Sequence, residues 1–158
     1  MTGRLHFAVA EPRARRIKPP SVYDALFSVP YAVALALVKG RVDLAAFYDE
    51  RLDDPAVLAI AARIFCQDDP ASDYPAHFPG ELRITLKTGQ VVTRRETTSL
   101  GTPERRLSRE RIDAKFLGNA TRVISEAQAR RVAQTVWQIE KLRDVRELVS
   151  MCISGEKV

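Results

Sequence analysis

The sequence predicts an α+β domain: a small, mostly antiparallel sheet of about four strands, helices packed on one face, and a long helix at the C-terminal end. Three patterns carry that expectation. Leu82, Ile84 and Leu86 alternate with Arg83, Thr85 and Lys87 before a Thr88-Gly89 turn and a returning stretch to Glu96, the period of a half-buried hairpin. Capped segments with apolar residues three and four apart lie on both sides of it, the period of helices. Strand signals separated by helices, with a hairpin among them, argue for α+β.

Leu5 to Ala10 reads as a first strand, with Leu5, Phe7 and Val9 on one face. Glu11 to Pro20 is a basic, proline-containing loop, and Ser21 caps a short helical turn from Val22 to Phe27. The next segment has a defined start and stop. Ser28 is an N-cap whose hydroxyl accepts an orphan backbone N–H. Pro30 falls in the first turn, where its missing N–H costs little. Gly40 stands where a left-handed residue ends a helix, and Lys39 faces the negative end of the dipole. Nearly every residue between them is apolar, which predicts enclosure on most sides. Tyr31 is the exception, and its buried O–H needs a partner.

Asp43 caps a short helix at Leu44 to Tyr48. Asp54 followed by Pro55 opens another, with Val57, Leu58, Ala61 and Ala62 along one face. A strand follows near Ile64 to Asp68, then a loop from Gln67 to Pro79 rich in Asp, Pro and Ser. The hairpin comes next, with one face predicted to be covered and the other wet. Thr97 to Leu107 is a polar, arginine-rich loop, and Ser108 caps a helix carrying Ile112, Phe116 and Leu117. Ser125-Glu126-Ala127-Gln128 is a capping box. It opens a long helix with Val132, Val136, Ile139, Leu142, Val145 and Leu148 at helical spacing.

Composition bounds the function. At 158 residues the chain suits one domain, Met1 to Val158. The longest apolar run, Tyr31 to Val38, is too short to cross a bilayer. No signal-peptide hydrophobic region opens the sequence, so the expected location is the cytoplasm, with no membrane partner. Cys66, Cys152, His6 and His77 have no metal-ligand spacing. The formal charge is +5. Arg13, Arg15, Arg16 and Lys18 form one basic cluster, and Arg94, Arg95, Arg105, Arg106, Arg109 and Arg111 form a second. Acids are interleaved and no aromatic series accompanies them, which argues against nucleic acid as a partner. Solvated surface charge, or arginines facing an anionic substrate or acidic partner surface, both remain open.

Candidates for chemistry are few. There is no glycine-rich phosphate loop and no nucleophile-elbow serine. His6 and His77 have no partner identifiable from sequence, Asp68-Asp69 reads as a solvated loop before a cation site, and Trp137 reads as core or interface. Tyr31 is what remains.

The segment Ser28-Val29-Pro30-Tyr31, its small apolar helix and Gly40-Arg41-Val42 resemble the start of the C-terminal domain of the MmgE/PrpD family. The similarity continues through the run from Phe47 to Leu58, Phe78-Pro79-Gly80, Leu107-Ser108 and Ala114-Lys115-Phe116, covering about Leu5 to Leu148. The family includes 2-methylcitrate dehydratase, cis-aconitate decarboxylase and iminodisuccinate epimerase. The resemblance implies an α+β, lid-like domain and a lyase or isomerase acting on small polycarboxylates without a cofactor or metal. It implies that Tyr31 lies at a cleft between two domains as a catalytic residue. Ser28 is then a candidate substrate-binding residue, because a helix start favours an anion. Family enzymes carry a helical N-terminal domain with most active-site residues, and a Lys-x-Tyr-Pro segment with a following His; here Lys18-Pro19-Pro20 is too close to Tyr31 and lacks the His. Arg106 stands where a proline is expected. The resemblance therefore implies a chain that is inactive without a helical partner domain on another chain. The alternative is a non-catalytic module that keeps the fold and self-associates as an oligomer.

Overall fold

The computed structural model describes residues 8–153. Two compact units divide the chain, Met1–Arg105 and Arg106–Val158. The first holds helices α1 (Arg13–Ile17), α2 (Val22–Leu26), α3 (Val29–Lys39), α4 (Leu44–Tyr48) and α5 (Pro55–Ala61), then strands β1 (Gly80–Thr85) and β2 (Val91–Glu96). The second holds α6 (Arg109–Ala120), α7 (Glu126–Val136), a 3-10 turn (Ile139–Lys141) and α8 (Val145–Met151).

In the first unit the caps sit where the sequence puts them. Ser21, Ser28, Asp43 and Asp54 each accept a backbone N–H in the first turn of α2, α3, α4 and α5, so orphan donors that burial would otherwise strand are satisfied. Gly40 closes α3 at φ 71°, a left-handed conformation that glycine adopts without a Cβ penalty. The core is built around α3: Tyr31, Ala34 and Leu35 pack with Ala25, Ala46, Phe47, Val57 and Ala61. Five of these eight residues are alanine or valine, which lets short helices approach closely. Full burial of Leu35 or Val57 stabilises the unit by about 1.5–3 kcal/mol each. The enclosure of α3 is narrower than expected, because Leu37 and Val38 in its last turn are exposed. The segment read as a loop before Ser21 contains α1, whose start is held by the Glu11 carboxylate accepting the Arg13 amide at 2.8 Å.

The sheet differs most from expectation. Among the described residues it has two strands, not about four. They pair antiparallel, Ile84 opposite Val92 and Leu82 opposite Arg94, around a turn with Gly89 at φ 84°. Of the expected first strand, residues 1–7 lie outside the described part and residues 8–10 are helical. The expected strand near Ile64 runs without regular structure. Its carbonyls are used otherwise: Arg13 Nη2 donates to the Ala62 and Ile64 oxygens at 2.7 and 3.2 Å. No helix of the first unit packs extensively on the hairpin. Leu82, Leu86 and Val92 consequently stay exposed, and the predicted covered face is open within this unit.

In the second unit, Ser108 and Ser125 cap α6 and α7 through the Arg111 and Gln128 amides. The long C-terminal helix is broken. α7 ends at Trp137, a 3-10 turn intervenes, Leu142 is extended, and Asp144 starts α8 by accepting the Arg146 amide at 2.9 Å. An aspartate hydrogen-bonds its neighbours more readily as a cap than in a helix interior, and the break folds α8 back on α7. Gln128 Nε2 then donates to the Met151 and Ile153 carbonyls at 2.8 and 2.9 Å. Ala129 and Val132 are the fully buried apolar residues among the described residues of this unit. No helix among the described residues is long and apolar enough to cross a membrane.

Candidate functional site

The start of α3 is fixed by one hydroxyl. Ser28 Oγ accepts the Tyr31 amide at 3.1 Å and donates to the Arg16 carbonyl at 2.5 Å, which ties α3 to α1. Ser28 is 2% exposed and Tyr31 1%. The hydroxyl is therefore engaged as both donor and acceptor, and the helix start is enclosed. Tyr31 lies tilted against Phe47, ring centroids 6.4 Å apart. The partner expected for its hydroxyl is not among the hydrogen bonds of the described residues. Burial, reinforced by the negative charges of Asp54 and Glu50, holds its phenol above the ordinary tyrosine range, because ionisation would create a negative charge in a buried site within the field of two carboxylates.

Those carboxylates belong to a charged cluster at the other end of α3. Lys39 Nζ lies 2.9 Å from both Glu50 and Asp54, and Arg41 reaches Glu50 at 3.0 Å. Hydrogen bonds from Lys39 hold the Glu50 and Asp54 carboxyls below their ordinary range. Asp54 thus caps α5 and anchors the end of α3. Sequence reasoning found the cap but missed the ion pair; the signal was present as basic residues flanking Gly40 followed by an acidic stretch to Asp54.

Beside the α3 start is a cavity of about 90 Å³ lined by Ala10, Glu11, Arg13, Pro30, Phe65 and Cys66. Arg13 stacks over Phe65 at 4.3 Å, and its Nε is buried without a hydrogen-bond partner. Burial pushes the Cys66 thiol up, with the Glu11 charge adding to it, the opposite of an activated thiolate. The first basic cluster is largely engaged here: Arg15 binds Asp24 at 2.9 Å, and Arg16 donates to the Glu11 and Ala8 carbonyls.

Three arginines of the second basic cluster are paired with acids. Arg95 meets Asp69 at 2.8 Å and Glu81 at 3.4 Å, and both Arg94 and Arg105 meet Glu96. His77 gains a partner that the sequence did not reveal, Asp73 at 2.5 Å, which pushes the imidazole up. Asp69 is occupied by Arg95 and the Ala71 amide. Among the described residues no three His, Cys, Asp or Glu side chains group to hold a metal ion. Tyr31 and Ser28 are brought together; no histidine joins them, His77 lying in the loop before β1 and His6 outside the described residues.

The described structure is α+β, and its serine-capped helix start is enclosed rather than open. A family model for the MmgE/PrpD C-terminal domain matches residues 3–141, and the chain belongs to that family. Cis-aconitate decarboxylase of Mus musculus is 26% identical over 136 residues, and that of Homo sapiens 25% over 135. Each match covers 84% of this chain and 28% of the relative, so the chain spans little more than a quarter of these curated relatives.

Proposed function

We propose that this chain supplies the C-terminal, lid-like half of a lyase or isomerase for small polycarboxylates, of the kind that includes 2-methylcitrate dehydratase and cis-aconitate decarboxylase. It acts only when a helical domain of the family's N-terminal type, whichever polypeptide carries it, docks against it. The observation that carries this reading is the family match across residues 3–141, in a chain that spans only 28% of the relatives' length. Removing a proton next to a carboxylate, with elimination, decarboxylation or epimerisation, needs a base, an acid and a clamp for the anion. In this reading the base and acid come from the helical domain. Two free cysteines suit a reducing cytoplasm.

Burial of the Tyr31 ring and full engagement of the Ser28 hydroxyl support a positioning role for both residues, shaping the cleft wall. The competing role is a phenol that reaches substrate once the second domain docks. Tyr31→Phe in the two-domain assembly separates them: unchanged kcat supports positioning, whereas a loss of about a hundredfold or more supports proton transfer or carboxylate binding by the phenol. The second reading, a non-catalytic self-associating module, is favoured by the exposed apolar residues of the hairpin, Leu82, Leu86 and Val92. A stable homodimer by native mass spectrometry, with no turnover of any polycarboxylate beside a helical domain, would support it instead.

A further inference from the structure

We infer that the groove between α6 and α7 is a binding site for a small carboxylate. The inference lies wholly within the second unit and does not depend on the lyase reading. The groove holds a cavity of about 160 Å³ lined by Arg109, Asp113, Leu117, Arg130, Ala133, Gln134 and Trp137. Its polar groups are arranged so that donors are left over. Trp137 Nε1 donates to Asp113 Oδ1 at 2.7 Å, which takes up one carboxylate oxygen and fixes the indole. Arg109 stacks on that indole at 4.8 Å and meets Asp113 only through Nε at 3.6 Å, beyond hydrogen-bond range. Its two terminal nitrogens form no hydrogen bond among the described residues. Arg130 uses Nε and Nη2 on Glu126, leaving Nη1. The Gln134 amide makes no hydrogen bond among the described residues either.

Three side chains with N–H groups not bonded to the described residues, Arg109, Arg130 and Gln134, therefore line one cavity together with an indole. A guanidinium placed over an indole, with its terminal N–H groups not bonded to the described residues, can meet a carboxylate through a two-bond fork. The lining has two cations and one acid, and Glu126 outside it pairs with Arg130, so the charges balance and it is the leftover guanidinium N–H groups, donors only, that favour an anion. The volume is well below the roughly 300–1,000 Å³ of a site for drug-sized ligands, which selects a small acid over a nucleotide.

Trp137 is the sole tryptophan, so its fluorescence reports on the site directly. The full chain is titrated with succinate, and separately with inorganic phosphate, at constant ionic strength, with calorimetry alongside. The expected result is a saturable response to succinate, weakened about tenfold by Arg109→Gln and by Arg130→Gln, as for loss of a charge-assisted hydrogen bond. Gln134→Leu touches neither ion pair and should weaken binding with the fold intact, which guards against variants that misfold. A non-saturating response, equal affinity in all three variants, or tighter binding of phosphate than succinate would overturn the assignment.

Discussion

Ser28→Ala removes both the acceptor of the Tyr31 amide and the donor to the Arg16 carbonyl. The expected loss is about 1–2 kcal/mol, typical of an N-cap, with the stranded Arg16 carbonyl pushing it toward the upper end; urea unfolding measures it. Tyr31 has a different signature. Its folded phenol titrates above the ordinary value of 10.0. Above that pH the unfolded chain gives up a proton that the folded chain keeps, so the folded state binds more protons and stability falls as pH rises. Stability measured between pH 9 and 11 should therefore drop less steeply in Tyr31→Phe than in the native sequence. At this scale the sequence was legible for Ser28, because a cap is a local bond between neighbours. It was not legible for the Lys39 pairs with Glu50 and Asp54 or for His77 with Asp73, which depend on how the chain turns.

Helix α3 is bounded by chemistry that an element carries within itself. At Gly40 an added Cβ would meet nothing within 4 Å, so the penalty of Gly40→Ala is purely conformational. A left-handed L-residue costs about 1–2 kcal/mol, and thermal or urea unfolding should show a loss of that size. The same logic explains which elements could be read in advance. Among the described residues seven side-chain caps, from Ser21 to Asp144, start helices, and six of them were readable as caps. Asp144 was not, because apolar spacing runs unbroken from Val132 to Leu148 and hides a turn that only packing of α8 on α7 rewards. The strands failed for a related reason: the short apolar run Ile64-Phe65-Cys66 says nothing about whether a neighbouring strand exists, and here Arg13 takes the carbonyls of Ala62 and Ile64 instead.

Across the whole molecule, burial is concentrated around α3, while the hairpin keeps Leu82, Leu86 and Val92 exposed and the second unit buries only Ala129 and Val132 among its described apolar residues. An isolated two-stranded hairpin is marginal in water, and so is a small helical unit with so few buried apolar residues. The family could be read from ordered local motifs, whereas the candidate site could be read only in part: in the proposed account a serine and a tyrosine of this chain line its wall, and the acid and base lie in the helical domain. The most direct measurement of that account mixes this chain with a helical domain of the family's N-terminal type and follows both mass and turnover of cis-aconitate and related polycarboxylates. The expected result is a defined complex that turns over one of them, with neither half active alone. No association, or a complex inert toward every such acid, would contradict it.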